Sequence, residues 1–229
     1  LRLVLFDIDG TLLRTDGVGT GAIVDALSEV LGREIDAADY VTSGKTDTQI
    51  CLELMRPLGF EDGEVVASLD QVRAVYLPLL SETLDRSRPL VLPGVVPLLD
   101  RLKAREDVCL GLLTGNIERG ARAKLETVGL ADYFITGAYG DVAAERSQLP
   151  QLAVDAARRL TGHTYVGKDI VILGDTPNDV RCGRVLNVTE IGVATGSYTR
   201  QDLARHEPDF LFDDLTDADA VCVAIQGEA

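Results

Sequence analysis

The chain has 229 residues, 46% of them hydrophobic and 26% charged, a composition that supports a real core and excludes a disordered chain. With 37 acidic against 22 basic residues the formal net charge is −15, so the chain repels nucleic acid and anionic membrane at long range. An anionic substrate would be repelled too, unless a metal ion and a few placed donors neutralise it locally.

The first element is an apolar run over residues 3–8, continuous rather than alternating, as in a strand buried on both faces of a parallel sheet. It runs into Phe6-Asp7-Ile8-Asp9-Gly10-Thr11. In open parallel sheets ligands bind beyond the carboxyl ends of the strands. Asp7 and Asp9 are two apart, so they point the same way if the strand stays extended. Like charges held so close need a cation or a shared proton, and Mg²⁺ favours carboxylates together with water and phosphate oxygens. A turn with an Asp cap is the plainer alternative.

Residues 15–89 show helical periods only: Ile23, Leu27, Val30 and Leu31; then Ile50, Leu54 and Leu58; then Val65, Leu69, Val72, Val75 and Leu79. A crossover between parallel strands needs far fewer residues. The expected organisation is therefore an α/β core of residues 1–14 and 90–229 with a helical cap of residues 15–89 inserted after the first strand, Pro89, Pro93 and Gly94 marking the return. Gly17 and Gly19, where the chain leaves the core, are hinge or turn glycines. Within the insertion, Ser43-Gly44-Lys45-Thr46 sets a flexible residue and a cation at a helix start. Gly44, Lys45 and Thr46 are candidates for reaching a substrate's polar tail, and a Ser43 or Thr46 helix cap is the alternative.

From residue 90 onward helices and strands alternate, as in a doubly wound α/β domain. Helical stripes are Val95, Val96, Leu98, Leu99 and Leu102; Ala123, Leu125 and Val128; and Leu152, Ala153, Ala156, Ala157 and Leu160. Strand candidates are 108–113, 134–135, 170–173, 191–193 and 210–212. The first of these runs into Thr114-Gly115-Asn116, a hydroxyl, a glycine open to close approach and an amide that can all bind phosphate oxygens, or simply cap a helix. The run 170–173 leads to Gly174-Asp175-Thr176-Pro177-Asn178-Asp179, a second acidic cluster at a strand end. Pro177 suits the first turn of a helix, which turns Asp179 back toward the strand. An N-capped helix start explains one such cluster; two at separate strand ends point to a shared cation.

The motifs D-I-D-G-T, L-L-T-G-N and G-D-T-P-N-D, in that order, closely resemble the haloacid dehalogenase-like hydrolase superfamily. The likeness runs from Leu3 to Phe212, and the insertion resembles the helical cap of its phosphoglycolate phosphatase and β-phosphoglucomutase branch. It implies that Asp7 is a nucleophile forming an aspartyl phosphate and that Asp9 protonates the leaving alcohol and then activates water. It further implies that Thr114, Gly115 and Asn116 bind phosphate, and that Mg²⁺ is held by Asp7, the Asp9 carbonyl and Asp175, with Asp179 supporting. The family usually carries a Lys between the second and last motifs, and no Lys lies between Lys124 and Lys168 here. Arg146 is its natural substitute, keeping the charge and adding a fork matched to phosphate, unless it is a solvated surface Arg.

The reaction implied is hydrolysis of a small phosphorylated metabolite. A phosphomutase or a catalytically weak phosphate binder is the alternative within the family. Dehalogenase and phosphonatase chemistry is disfavoured, because those relatives generally lack the Asp at position 9. A receiver domain also uses an acidic pocket and Mg²⁺, but this chain is longer, and no Lys stands convincingly at a late strand end. His163 and His206 fall in no motif. Cys51, Cys109, Cys182 and Cys222 have no zinc or disulfide spacing and fit reduced thiols in the cytoplasm. No apolar stretch spans a bilayer, and the apolar faces of the cap leave the oligomeric state open.

Overall fold

In chain order, β1 (Arg2–Phe6) is followed by the short β2 (Leu13–Arg14), the helices α1 (Val18–Leu31), α2 (Asp47–Met55) and α3 (Asp62–Ser87), and a second short strand, β3 (Leu90–Val91). Then come α4 (Val95–Lys103), β4 (Val108–Leu113), α5 (Glu118–Thr127), β5 (Thr136–Ala138), α6 (Leu149–Thr161) and β6 (Ile170–Gly174). The chain closes with α7 (Pro177–Cys182), β7 (Thr189–Val193), α8 (Arg200–Ala204), β8 (Phe210–Phe212) and α9 (Ala218–Gln226). The structure is a computed structural model and describes residues 1–227.

Side chains alternate across a strand, so β1 feeds two cores. Val4 and Phe6 pack with Leu98, Leu99, Leu125 and Val221 on one face of the sheet. Leu3 and Leu5 pack with Leu149, Ala153 and Ala157 on the other. The six-stranded sheet has the order β5-β4-β1-β6-β7-β8, and every pairing in it is parallel. β1 lies between β4 and β6, with Leu5 opposite both Gly111 and Ile172. The chain segments leaving β1, β4 and β6 therefore emerge side by side at one edge, where such sheets bind ligands.

The insertion builds a core of its own from Ile23, Leu27, Ile50, Leu54, Val65, Leu69, Val72, Tyr76, Leu80 and Leu84, joined by Ile117 from the sheet domain. Its two ends are tied together by an antiparallel pair, Leu13 opposite Val91 and Arg14 opposite Leu90. Two residues per strand carry no legible pattern, and this pair is not anticipated from sequence. Among the described residues no helix is long and apolar enough to cross a membrane.

Several expectations shift in register. The buried stripe of α3 runs Val65, Leu69, Val72, Tyr76, Leu80, Leu84, so Val75 and Leu79 lie on its margin. In α6 the buried residues are Leu149, Pro150, Ala153, Val154 and Ala157, while Leu152 and Leu160 are exposed. β5 lies at Thr136–Ala138 rather than 134–135, because the Phe134 amide closes a turn onto the Ala131 carbonyl (3.3 Å) and Ile135 faces solvent. β7 begins two residues before the expected 191, on the buried polar residues Thr189 and Glu190.

Gly94 caps α4 with φ of +82°, and a Cβ there would stand 2.0 Å from the Leu215 carbonyl group. Both the left-handed backbone and the clash oppose a side chain. Gly94→Ala is expected to lower the unfolding free energy by roughly 3 kcal/mol, read as a fall in the urea midpoint. An unchanged midpoint would contradict this close approach.

Candidate active site

Asp7 follows β1 directly, and its amide donates to the Leu173 carbonyl at 3.0 Å, extending the ladder by one bond. Asp175 follows β6 in the same way. Asp179 is fixed by the start of α7: the Thr176 hydroxyl accepts from the Asp179 amide, while Asp179 Oδ2 accepts from the Thr176 amide (3.0 Å) and hydroxyl (2.6 Å). This reciprocal cap satisfies otherwise orphaned helix amides and turns Asp179 toward the strand ends. The carboxylates of Asp7, Asp175 and Asp179 are all buried, with one oxygen of each within 4.8 Å of the others. Thr11 donates to Asp175 Oδ1 at 3.0 Å. Gly10 and Gly196 close over Asp175: a Cβ on either would lie 2.4 or 1.7 Å from its Oδ2. A cradle of hard oxygen donors pressed between glycines fits a divalent cation.

Arg146 lies just ahead of α6 and is 6% exposed, so it is not an idle surface residue. Its Nη2 donates to Asp7 Oδ1 (2.8 Å), to the Leu113 carbonyl (3.2 Å) and to Asp179 Oδ1, leaving Nε without a partner among the described residues. Burial pushes Asp7 up to about 7, with Arg146 pulling it down and Asp179 pushing it further up. Burial, Asp179 and Asp7 together hold Asp175 well above the usual carboxylate range.

Asp9 stands apart from that cluster. Its Oδ2 accepts from Lys124 Nζ (2.6 Å) and Asn116 Nδ2 (2.8 Å), and its Oδ1 from the Thr15 hydroxyl (3.0 Å). Burial works against its charge, but Lys124, Asn116 and Thr15 together hold the carboxyl below its ordinary value. Its side chain is therefore not among the cluster oxygens. Asn116 Nδ2 also reaches the Thr114 hydroxyl oxygen at 2.8 Å, joining the middle motif to the first. Lys124, on α5, is a site residue that the motifs do not point to, because it precedes the stretch in which the family's lysine is expected. The signal was present, because Ala121, Lys124, Leu125 and Val128 share one helical face, which turns the lysine inward.

A cavity of about 550 Å³ opens over these groups, lined by Asp7, Asp9, Thr114, Gly115, Asn116, Arg146 and Asp175 from the sheet side and by Thr20, Ser43, Gly44 and Lys45 from the insertion. Neither histidine lines it. Lys45 Nζ pairs with Glu53 at 2.7 Å and sits 4.2 Å over the Tyr40 ring. The Gly44 carbonyl accepts from Asn178 at 2.9 Å. Thr46 caps α2 through the Gln49 amide (3.0 Å), and its hydroxyl donates to the Ala144 carbonyl (2.5 Å). Thr46 is thus fully buried in the seam between insertion and sheet domain, away from the cavity wall. Gly115 does permit a close backbone approach, but to the insertion: a Cβ would lie 1.9 Å from the Lys45 carbonyl oxygen. The Asp47 amide donates to the Gly115 carbonyl at 2.7 Å, and Asp47 Oδ2 accepts from the Ile117 amide at 2.9 Å.

The model of the haloacid dehalogenase-like hydrolases matches residues 1–187. The chain belongs to this family. The hydrolase is 29% identical to a probable phosphatase, IndB, of Dickeya dadantii, over 94% of this chain and 90% of that one. It is 26% identical to a phosphoglycolate phosphatase of Synechococcus elongatus, over 95% of each. A crystal structure of β-phosphoglucomutase from Clostridium difficile superposes with a TM-score of 0.73 at 17% identity, covering 99% of this chain and 98% of that one, and so shares its fold. The hydrolase thus has the α/β core with inserted helices that the motifs lead one to expect.

Burial pushes Asp47 up to about 6, with Lys124 and the Ile117 amide opposing and Asp9 adding to the rise. A folded-state value above the unfolded one means that the stability gained from the proton is complete below pH 4 and lost as pH rises through 6. Asp47→Asn keeps an acceptor for the Ile117 amide and removes the charge. It should raise stability at pH 8 by about 1 kcal/mol, the advantage fading below pH 6, since solvent reaches part of the group. Thermal melts of both proteins across that range would show it, and a pH-independent difference would contradict it.

Proposed function

We propose that this hydrolase is a Mg²⁺-dependent phosphatase that cleaves a small organic phosphate monoester through an aspartyl phosphate on Asp7. The observation that carries the proposal is the position of Asp7, at the end of the central strand, facing Asp175 and Asp179 while one of its oxygens is held by Arg146. An Asp7 oxygen attacks phosphorus as the bond to the leaving alkoxide breaks, and Asp9 relays to that alkoxide a proton brought in on the substrate's phosphate monoanion. Asp9 then takes a proton from the water that attacks the phosphoryl group, which frees Asp7 and releases inorganic phosphate. Thr114, the Gly115 and Asn116 backbone and Arg146 hold the phosphate oxygens.

Asp7, Asp175 and the Asp9 carbonyl would hold Mg²⁺, supported by Asp179. When bound, the ion supplies positive charge that offsets phosphate meeting carboxylate. Residues 15–89 act as the cap, and Gly44 and Lys45 meet the part of the substrate beyond the phosphate. The relatives named phosphoglycolate phosphatase support a small anionic metabolite as substrate.

Phosphate release from 4-nitrophenyl phosphate should require Mg²⁺ and fall about 10³-fold or more in Asp7→Asn. Activity that survives in Asp7→Asn would exclude Asp7 as nucleophile. Arg146→Lys keeps the charge without the fork, and kcat/KM should fall about 10²-fold. A variant equal to wild type would remove Arg146 from the phosphate site.

A further inference from the structure

Lys124 is a buried cation that the reaction above leaves without a task. It is 2% exposed, on a face of α5 otherwise filled by Ala121 and Leu125. An apolar residue would pack there without the desolvation cost of a buried ammonium. The fold instead makes room for the charge. Gly19 of α1 lies over it, and a Cβ there would stand 2.8 Å from Nζ and 3.3 Å from Cε.

The ammonium closes a ring. Nζ donates to Asp9 Oδ2 and to Asn116 Oδ1, both at 2.6 Å, and Asn116 Nδ2 donates to the same Asp9 Oδ2 at 2.8 Å. Both lone-pair sites of Oδ2 are thus taken. Among the described residues Asp9 Oδ1 accepts only from Thr15, at 3.0 Å, and keeps one site open. Lys45 and Arg146, two other cations of the cavity wall, are held by Glu53 and by Asp7 with Asp179, so neither competes for Asp9. The nearby Asp47 carboxylate is turned to the Ile117 amide.

We propose that Lys124 is a positioning residue that locks the Asp9 carboxylate so that Oδ1, and not Oδ2, exchanges the proton with the leaving group. The inference rests on the proposed phosphatase reaction. In its first half the Asp7–phosphorus bond forms, the bond from phosphorus to the leaving oxygen breaks, and a proton brought in on the substrate's phosphate monoanion passes by way of Asp9 Oδ1 to that oxygen. A carboxylate free to rotate delivers that proton less often, and the loss grows with the basicity of the leaving oxygen.

The test is kcat/KM, which reports only the steps up to phosphoryl transfer, across substituted phenyl phosphates from 4-nitrophenyl to 4-methoxyphenyl. In Lys124→Met we expect a fall of about 3-fold for 4-nitrophenyl phosphate and about 30-fold for 4-methoxyphenyl phosphate, a steeper dependence on leaving-group pKa than in wild type. Gly19→Ala leaves Lys124 in the chain but pushes its ammonium aside, and should steepen the dependence in the same direction by less. It decides the question if Lys124→Met does not fold. An equal loss across the series, or none, would overturn the proposal, the first because it marks a role in folding or phosphate binding. Failure of the phosphatase reading is distinguishable, since wild type would then release no phosphate from 4-nitrophenyl phosphate, or Asp7→Asn would still do so.

Discussion

Negative charge gathered at one place is the constraint around which this molecule is arranged. Asp7, Asp9, Asp175 and Asp179 converge at the carboxyl edge of β1 and β6, in a chain that already carries a net charge of −15. Two carboxylates about 4 Å apart repel by about 4 kcal/mol near a protein surface, so the group persists only where cations or protons neutralise part of it. Arg146 stands between Asp7 and Asp179, and Lys124 beside Asp9. The two cations divide the carboxylates into separate sets. One set faces the candidate metal cradle, and the other is tied into hydrogen bonds with Asn116 and Thr15.

The division follows from the sheet. With β1 between β4 and β6, the acidic pair comes from the centre, the Thr114 turn from one neighbour and the Asp175 turn from the other. The same β4 turn is also where the insertion docks. The Asp47 amide meets the Gly115 carbonyl, and the Thr48 hydroxyl donates to the Gly140 carbonyl at 2.7 Å. A Cβ on Gly140 would lie 1.8 Å from the Gly115 carbonyl oxygen, so the seam has no slack at that point. One short stretch of backbone thus positions the candidate phosphate-binding groups and carries the insertion.

Much of this was legible in the sequence because it is local. Continuous apolar runs ending in Asp-rich turns give both the strands and the place of Asp7 and Asp175, and the missing lysine directs attention to Arg146. What escaped depends on contacts far apart along the chain. Lys124 and Asp9 are 115 residues apart, and nothing local to either announces the other. Lys45 draws attention as a cation at a helix start, yet its charge is met by Glu53 within the insertion. Gly115 reads as space for phosphate, but its close approach is to the Lys45 carbonyl. Helical stripes read from sequence differ by a residue from the buried ones where apolar side chains border the buried face, as with Val75 beside Tyr76.

The antiparallel pair of β2 and β3 has a consequence for how such an enzyme can change. Because Leu13 lies opposite Val91, the insertion departs and returns at one point of the sheet domain. The chain re-enters α4 beside the point where it left, and β4, β1 and β6 pair with one another without any residue of the insertion. Away from the tight seam at Gly115, helices there can be lengthened or redecorated while the strand that presents Asp7 keeps its place. On the proposed reading, selectivity and chemistry are carried on stretches of one polypeptide that can drift at different rates.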